Sequence, residues 1–235
     1  MKKLLRSAKR LLGKIFGTAT EELYWRFRHL GSPHWAETYV ASASLEHPHR
    51  KFLLETIERQ RPFASILEVG CASGPNLYLL AKRFPAAKLY GVDISQKAIA
   101  FGRNWLSSQG ISNVFLETGK TGHLTQFASQ SVDIVVSDAA LVYVGPEKIE
   151  AALREMARVA KKAIVLVEWH TDSDSSIFKD HWAHNYRNLF RKILPDSEPR
   201  FLKLSPEIWG GDWSEHGYII EIRISSPGGS ENIAE

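Results

Sequence analysis

The pattern of apolar and polar positions changes near residue 64. Before that point apolar residues recur at helical spacing, and a helix is predicted to begin near Pro48 and to end before Pro62. After it, short apolar runs alternate with amphipathic stretches such as PNLYLLAKRF and PEKIEAALREMARVA. Short apolar runs of this kind are typical of buried strands. They read ASILEV, AKLYGV, NVFLE, VDIVVS, AIVLVE, RFLKLS and GYIIEIRI.

The alternation of runs and amphipathic stretches predicts an α/β fold. Strands that alternate with helices favour a parallel sheet that is covered by helices on both faces. The last two runs are separated only by PEIWGGDWSEH, which is too short for a crossover helix, so an antiparallel hairpin is expected at the edge of the sheet. Between AIVLVE and RFLKLS, a helix is expected over about Ile177 to Lys192.

Length and composition are those of a single globular domain. The chain has 235 residues, of which 44% are hydrophobic and 24% are charged. We expect an N-terminal helical segment (residues 1–60), one domain (61–225) and a flexible tail (226–235). No run of about 18 apolar residues occurs, so no membrane span is expected. The single cysteine, Cys71, suits a reducing compartment, and a cytoplasmic location is predicted.

The positive charge is concentrated at the start of the chain. Residues 1–28 carry eight cations against two acids, a net +6, so the rest of the chain sums to −2 within the total of +4. A basic groove across the domain is therefore not indicated, and there is no strong nucleic-acid signal. Residues 1–17 are predicted to form a basic amphipathic helix, which would suit an anionic membrane surface. A helix packed on the domain with a solvated basic face is an equal alternative.

A glycine turn follows the first apolar run. It reads Gly70-Cys71-Ala72-Ser73-Gly74, which is not the full G-x-G-x-x-G of dinucleotide sites. The two glycines allow a tight turn and close approach of a ligand. Asp93 ends the next strand, where a carboxylate can accept hydrogen bonds from two ribose hydroxyls. The alternative is a strand–turn–helix that has a capping acid and no ligand.

Two residues beside this turn argue against a phosphate. Pro75 removes an N–H group that a pyrophosphate would use at the start of the helix. Glu68 brings a carboxylate close to the turn, and a carboxylate repels phosphate but suits a cation. The expected ligand has a ribose, an adenine, a positive end and no phosphate. S-adenosylmethionine has all of these, whereas a nicotinamide dinucleotide does not.

Three segments resemble motifs of one enzyme family. LEVGCASG is similar to the acid-x-Gly-x-Gly-x-Gly motif of class I S-adenosylmethionine-dependent methyltransferases, LYGVDIS to their second motif, and SVDIVVSDAALVYV to their fourth-strand motif. The resemblance covers about residues 60–170. The family fold is a Rossmann-like, seven-stranded, mostly parallel sheet with an antiparallel last strand and helices on both faces.

Two positions depart from the family pattern. The middle glycine of the first motif is replaced by Ala72. After the third strand, LETGKTGHL lacks the aspartate that usually contacts the adenine amine, and Lys120 or Thr121 stands there. An adenine contact through backbone atoms is the alternative.

The resemblance also assigns cofactor-binding residues. The methionine part and ribose would lie along the glycine turn, with Glu68 as its acid. Asp93 would hold the ribose, and Ile94 would pack on the adenine. Asp138, at the end of the fourth strand, would face the amino-acid end of the cofactor or would simply cap the strand. The turn residues implied are Gly70, Cys71, Ala72 and Gly74.

A methyl transfer to oxygen usually needs a base. His170 directly follows the fifth strand and is predicted to be that base, with Glu168 orienting its ring. Tyr143 is the second candidate, and a core-facing tyrosine is its alternative. His181 and His184 stand at i, i+3 spacing on the expected helix, but no third ligand of matching spacing follows, so no metal is predicted.

Aromatic residues near the sheet ends have two interpretations. Trp209 and Trp213 flank two glycines in the hairpin loop and either wall an acceptor pocket or pack the hairpin. Trp35 and Tyr39 either close over the cofactor or pack ahead of the third helix.

The sequence therefore predicts a methyltransferase that acts on a small molecule. The expected acceptor is an oxygen atom of a sugar or of another secondary metabolite. A protein or RNA methyltransferase, which would dock through the basic N-terminal segment, is the alternative enzyme. A catalytically silent S-adenosylmethionine-binding module is the alternative outside enzymes.

Overall fold

The computed structural model describes residues 34–178 and 181–224. The predicted basic helix over residues 1–17 and the predicted tail over residues 226–235 lie outside this part of the chain. Within it, no helix is long and apolar enough to cross a membrane.

Seven of the nine strands form one sheet, in the order β3-β2-β1-β4-β5-β9-β8, and the other two form a small hairpin. Strands β1 to β5 are parallel to one another, whereas β9 is antiparallel to both of its neighbours. The strands are β1 (Ser65–Val69), β2 (Lys88–Asp93), β3 (Val114–Thr118), β4 (Val132–Asp138), β5 (Ala160–Trp169), β6 (Ser176–Phe178), β7 (His181–Ala183), β8 (Arg200–Lys203) and β9 (Gly217–Arg223).

The seven-stranded, mostly parallel sheet with an antiparallel last strand confirms the predicted fold class. The expected hairpin between the last two strands is present, but its antiparallel strand is not at the edge of the sheet. Strand β9 lies between β5 and β8 because its apolar residues, such as Ile219 and Ile220, are fully buried there. The more polar β8 begins and ends on exposed residues and therefore occupies the edge.

Helices cover both faces of the sheet, as predicted. Proline occupies the first turn of α3, α4 and α6, where its missing N–H is not needed. The helices are α1 (Trp35–Thr38), α2 (Ser42–Leu45), α3 (Pro48–Glu58), α4 (Pro75–Arg83), α5 (Gln96–Ser108), α6 (Pro146–Val159), α7 (Tyr186–Ile193) and α8 (Asp212–His216).

The core has two layers because successive side chains of a strand point to opposite faces. Ile66 of β1 packs with Leu53, Leu77 and Leu106 from α3, α4 and α5. Its neighbour Leu67 packs in the other layer, which contains residues of α6 and α7. The two layers fix the sheet between its helices and leave the carboxyl ends of the strands open for a site.

The helix expected over Ile177 to Lys192 is wrong in its first half. That stretch forms the β6–β7 hairpin, and α7 begins only after Asn185, whose side chain accepts a hydrogen bond from the Asn188 N–H. The backbone of His184 is bonded to the end of β5, through Trp169 and Thr171. These backbone bonds compete with helix formation and keep the segment extended.

Candidate functional site

A cavity of about 760 Å³ opens at the carboxyl ends of β1, β2 and β4. In an open α/β sheet this is the edge where ligands bind. The sequence-predicted residues that line it are Gly70, Ala72, Asp93, Ile94, Asp138 and Tyr143.

The turn after β1 is held by backbone geometry. Gly70 has a φ of +79°, and a Cβ atom added to it would lie 2.2 Å from the Cβ of Ala140. Any larger residue here is therefore strained and also collides with the chain after β4. The N–H groups of Gly70 and Cys71 both donate to the carbonyl of Val92, which joins the turn to β2. This close packing presents the backbone of the turn to the cavity.

Asp93 ties the glycine turn to the start of α5. Its Oδ2 accepts from the Ala72 N–H at 2.9 Å, and its Oδ1 accepts from the Ser95 N–H at 2.7 Å. Burial raises the pKa of Asp93, against the effect of these two donors. Each carboxylate oxygen has a second lone pair, so the residue can accept further hydrogen bonds from a ligand in the cavity.

Three residues assigned to the cofactor do not line the cavity. The thiol of Cys71 is buried in the core, beside Gly91. Gly74 adopts a left-handed conformation as the N-cap of α4, and its Cα faces the core leucines Leu106 and Leu116. Glu68 is buried and accepts a hydrogen bond from the Asn76 side chain at 2.6 Å. The structure therefore places these three residues behind the turn and outside the cavity lining, which corrects their predicted position.

Asp138 is the centre of a buried charge network. Its Oδ2 accepts from Asn76 at 2.8 Å and from His49 Nε2 at 3.1 Å, and lies 3.4 Å from Arg50. Burial alone would raise the pKa of Asp138, but the charges and hydrogen bonds of His49 and Arg50 outweigh it and hold the pKa well below its ordinary value. Asp138 therefore remains ionised. Its Oδ1 has no hydrogen-bond partner among the described residues.

Glu68 is joined to this network through the side chain of Asn76, which donates to both carboxylates. Its Oε2 is buried and likewise has no partner in the described part of the chain. Burial raises the pKa of Glu68 to about 7, although the Asn76 donor opposes the shift. Two carboxyl groups with unpartnered oxygens thus lie at the end of the cavity beside the turn.

His47 and His49 lie side by side at the start of α3. The Nδ1 atom of His47 caps the helix at 3.5 Å from the His49 backbone nitrogen and lies 2.6 Å from the Nδ1 atom of His49. The Nε2 atom of His49 faces the Asp138 carboxylate. Burial and the positive charges of His49 and Arg50 lower the pKa of His47.

The other end of the cavity is aromatic. The indoles of Trp209 and Trp213 are stacked with centroids 4.0 Å apart, and Trp213 meets Trp169 edge-on. His181 lies 4.9 Å from Trp169, and its Nε2 is 3.0 Å from the hydroxyl of Tyr143. The two tryptophans therefore pack on each other and also line the cavity, and their role in walling an acceptor pocket stays a prediction.

Trp35 and Tyr39 also line the cavity, and their rings meet edge-on at 4.8 Å. They come from the segment before α3, on the side of the cavity away from β7. Tyr143 is not a core-facing tyrosine, because its hydroxyl reaches His181 within the cavity wall.

Glu168 supports the turn that carries Tyr143. Its carboxylate is fully buried and accepts from the Ser137 hydroxyl at 2.8 Å. It also accepts, each at 3.0 Å, from three successive backbone N–H groups, those of residues 140, 141 and 142. Burial raises the pKa of Glu168 to about 7 in spite of these donors. Glu168 therefore orients Tyr143, and the expectation that it orients His170 is wrong.

His170 is not placed to act on a bound acceptor. Its ring is buried against Phe201, with Nδ1 3.1 Å from the His184 carbonyl and Nε2 3.2 Å from Asp172. Burial lowers its pKa. Side chains alternate along β5, and Trp169 takes the face toward the cavity, so its neighbour takes the other face. His170 therefore does not line the cavity, which corrects its predicted position.

The two histidines at and just after β7 point in different directions. His181 of β7 faces Tyr143, whereas His184, which follows the strand, is buried with its Nε2 2.8 Å from the Val144 carbonyl. Among the described residues, no group of three or more potential ligands could hold a metal ion.

Sequence analysis missed the polar start of α3, where His47, His49 and Arg50 stand in the cavity wall. The prediction of this helix rested on its apolar residues alone. A signal was available, because cations at a helix N-terminus are opposed by the helix dipole and indicate an acidic partner elsewhere. That partner is Asp138.

Part of the chain is similar in sequence to known methyltransferases. Residues 66–163 match the family model described as a methyltransferase domain. A trans-aconitate 2-methyltransferase from Deinococcus radiodurans is 33% identical over 88 residues, which cover 37% of this chain and 31% of that protein. A demethylmenaquinone methyltransferase from Halalkalibacterium halodurans is 26% identical over 184 residues, which cover 77% of this chain and 69% of that protein. The chain therefore spans about a third of the first relative and about two thirds of the second.

Solved structures agree on the fold. The magnesium protoporphyrin IX methyltransferase from Synechocystis PCC 6803, solved with bound S-adenosylmethionine, has a TM-score of 0.62 at 19% identity. The alignment covers 87% of this chain and 97% of that one. The three motifs and the matched methyltransferase-domain model fall on the same part of the chain, residues 66–163, and the chain has the fold of class I S-adenosylmethionine-dependent methyltransferases.

Proposed function

We propose that the protein transfers a methyl group from S-adenosylmethionine to an oxygen atom of a small molecule. One observation carries the proposal: the same cavity has a ribose-type acid, Asp93, at one end and a paired hydroxyl and imidazole, Tyr143 and His181, at the other. Its volume of about 760 Å³ is in the upper part of the range of about 300–1,000 Å³ that is usual for small-molecule sites. There is room for a cofactor and a small acceptor together.

The residues at the cofactor end fit S-adenosylmethionine. Asp93 would accept hydrogen bonds from the ribose hydroxyls, and Ile94 would pack on the adenine. The unpartnered Oδ1 of Asp138 suits the ammonium group of the cofactor, because a buried carboxylate oxygen without a donor is costly until a cation or donor meets it. When bound, the cofactor supplies an electrophilic methyl group on a sulfonium centre.

The adenine contact is proposed to come from the loop after β3. Residues 119–123 line the cavity and include no acid. Gly119 approaches Val92 so closely that an added Cβ would lie 2.7 Å from its Cγ1. A backbone that is held this close to β2 can offer its N–H and C=O groups to the adenine edge without an aspartate.

At the acceptor end, the chain must orient a hydroxyl and remove its proton. Tyr143 is held by the turn that Glu168 fixes, and His181 is held between Tyr143 and Trp169. The surrounding indoles exclude water from the reacting oxygen, which strengthens the hydrogen bonds made there. Orientation and proton removal are the contributions that an enzyme adds to a cofactor that already carries an activated methyl group.

The relatives support a small acceptor in a limited way. The two similar curated proteins are named for trans-aconitate and for demethylmenaquinone, both small molecules. A protein or RNA acceptor would need a docking surface, and the basic residues that suggested one belong to residues 1–28, outside the described part of the chain.

Two measurements test the proposal. Calorimetry should detect binding of S-adenosylmethionine and S-adenosylhomocysteine, and no binding of NAD. Cell extract should then be incubated with the protein and cofactor carrying a deuterated methyl group, and separated into small-molecule, protein and RNA fractions. We expect the mass gain in the small-molecule fraction, on oxygen. Label in protein or RNA would support the alternative enzymes, and cofactor binding without label in any fraction would support a silent binding module.

A further inference from the structure

We infer that the acceptor is an aromatic hydroxyl compound of the phenol type. Its ring would meet the edge of Trp209, and its proton would pass through Tyr143 to His181. This inference rests on the proposed oxygen methyltransferase function and narrows its acceptor class. It stands on ring geometry, on the charge of the cavity wall and on the paired side chains.

Trp209 presents its edge to the cavity. One face is covered by Trp213, at a centroid distance of 4.0 Å and an interplanar angle of 12°. The ring of His49 is also 4.0 Å away, tilted by 30°. Two nearly parallel rings at this distance cannot share one face, so they cover opposite faces. Because Trp209 lines the cavity, only its rim is left for a ligand.

An aromatic edge and an aromatic face select different ligands. The face of an indole carries negative potential and attracts cations, whereas its edge carries positive potential. The edge of Trp209 therefore favours the electron-rich face of another aromatic ring, in the edge-to-face arrangement. It offers no cation–π contact to a substituted ammonium group. At this position the cavity thus favours an aromatic acceptor over an amine.

The charges of the wall lead to the same class. Among the described residues that line the cavity, the carboxylates are those of Asp93 and Asp138. Asp93 is bonded to the glycine turn, and Asp138 is bonded to His49 and Asn76. The proposed function gives the remaining lone pairs of both carboxylates to the cofactor, so an ammonium ion beside Tyr143 would have no further carboxylate partner in the described wall. An oxygen that becomes negative as its proton leaves is better suited.

The hydroxyl and imidazole supply a route for that proton. A neutral His181 with its lone pair on Nε2 accepts the hydrogen of the Tyr143 hydroxyl at 3.0 Å. The acceptor O–H donates to the oxygen of Tyr143. As the new C–O bond forms and the C–S bond breaks, the acceptor proton moves to Tyr143, and the tyrosine proton moves to His181. The products are the methyl ether, S-adenosylhomocysteine and a protonated histidine, so atoms and charge balance.

Acidity separates a phenol from a sugar hydroxyl. A phenol such as the tyrosine side chain has an ordinary pKa of about 10, and a histidine has about 6.5. An imidazole can assist this proton transfer, whereas an aliphatic hydroxyl is far less acidic and gains less from the same base. A carboxylate acceptor would need no base at all, so the Tyr143–His181 pair would have no role with it.

Matched ligands test the aromatic wall. Calorimetry on the protein loaded with S-adenosylhomocysteine would compare naphthol with decalol, its saturated analogue, and with naphthylmethylamine. We expect naphthol to bind at least about tenfold more tightly than either, a difference of about 1.4 kcal/mol. Trp209→Leu should remove the preference, and Trp209→Phe, which keeps an aromatic edge, should retain most of it. Trp105→Leu is the control, because Trp105 packs on Tyr78 away from the cavity.

Methyl transfer to naphthol tests the proton route. Tyr143→Phe should lower kcat at least about tenfold and leave the affinity for S-adenosylhomocysteine unchanged. Tyr90→Phe, in a tyrosine that packs between Phe115 and Phe127, should change neither. Equal binding of naphthol and decalol, or tighter binding of the amine, would overturn the phenol assignment. Binding of S-adenosylhomocysteine is measured first. If it did not bind, the proposed function would be contradicted, and the acceptor assignment with it.

Discussion

The two ends of the cavity are built from different lengths of chain. The cofactor end comes largely from two consecutive strand–turn–helix units, within residues 65–108, and is completed by Asp138 and the loop after β3. The hydrogen bonds that shape its turn are largely those of backbone atoms. The acceptor end is assembled from four segments that are distant in sequence. They are the start of α3, the turn after β4, strand β7 and the loop before β9, and they meet through side chains.

This difference separates what holds the fold from what selects the acceptor. At the cofactor end, the hydrogen bonds of Gly70 and Asp93 also join β1 to β2 and α5, so a change there disturbs the sheet as well as the ligand. At the acceptor end, His181 and Trp209 stand on a hairpin and a loop outside the central strands. A change there is expected to alter activity while the fold survives.

The largest expected effect is at His181 of the acceptor end, and His170, which lies outside the cavity, is its control. His181→Asn should lower turnover by about 10²- to 10⁴-fold, because the ring is the final proton acceptor of the proposed route. His170→Asn should leave kcat within about threefold and lower only stability, because that ring is buried away from the cavity. Steady-state kinetics over a pH series would measure both, with loss of the acidic limb expected for His181→Asn alone.

Thermal unfolding and cofactor calorimetry separate the two variants further. Both should bind S-adenosylhomocysteine like the wild-type protein. If His170→Asn lost turnover at wild-type stability and His181→Asn did not, the proposed route would be wrong.

The extent of sequence prediction follows the same division. Strands β1 to β5, the glycine turn and the position of Asp93 were predicted because each is encoded by a few consecutive residues. His181 was considered only as part of a helical metal pair. Its true neighbour, Tyr143, is 38 positions away, and no local pattern records that contact. The short β6–β7 hairpin was missed because its strands have three residues each, too few to establish a period of two.

His170 shows the limit of placing a residue by its position on a strand. Its place just after β5 was predicted correctly, but the face of the sheet on which the acceptor lies was not known. That face is set by Trp169 packing on His181 and Trp213, contacts made with segments further along the chain. The cations at the start of α3 were missed for a similar reason, since Asp138 is 89 positions from His49.

The second prediction compares two glycines that share a backbone conformation. Gly70→Ala should lower the free energy of unfolding by about 2–5 kcal/mol, because a left-handed φ is combined with a collision at Ala140. Gly110→Ala should cost only about 1–2 kcal/mol, because its φ is +70° but no atom lies within 4 Å of the added Cβ. Urea unfolding would measure both, and S-adenosylhomocysteine binding should be lost only with Gly70→Ala.

Equal costs for the two glycine variants would mean that the turn can move away from Ala140. In that case the contact between Gly70 and Ala140 would not hold the cofactor end against the turn after β4. The two ends of the cavity would then be more independent of each other.

The third prediction uses the buried carboxyl group behind the turn. The pKa of Glu68 is raised from 4.5 to about 7, so between these values the folded protein binds more protons than the unfolded chain. Stability contributed by this group is present below pH 4.5 and is lost as the pH rises to 7. Relative to Glu68→Gln, the wild-type free energy of unfolding should fall by up to about 3 kcal/mol across this interval.

Urea unfolding of both proteins at pH 5 and pH 7 measures this difference. Glu117→Gln, at an exposed position of edge strand β3, is the matched control and should show no comparable change. A Glu68→Gln variant that tracks the wild-type protein at both pH values would show that the carboxylate is compensated in the folded state.

The smallest expected effect is at Asp93. Asp93→Asn keeps the shape of the side chain and one acceptor oxygen, so it can still accept from the Ala72 N–H or from the Ser95 N–H, but not from both as an anion does. One charge-assisted hydrogen bond to the ribose should be lost, which is worth about 1.5–3 kcal/mol before the turn relaxes. We expect S-adenosylhomocysteine to bind about tenfold more weakly by calorimetry. Ser95→Ala, which removes the cap of α5 and leaves the carboxylate intact, should lower stability by about 1 kcal/mol and change affinity less. If the two variants lost equal affinity, the role of Asp93 would be to hold the turn, and the cofactor end would depend on backbone geometry alone.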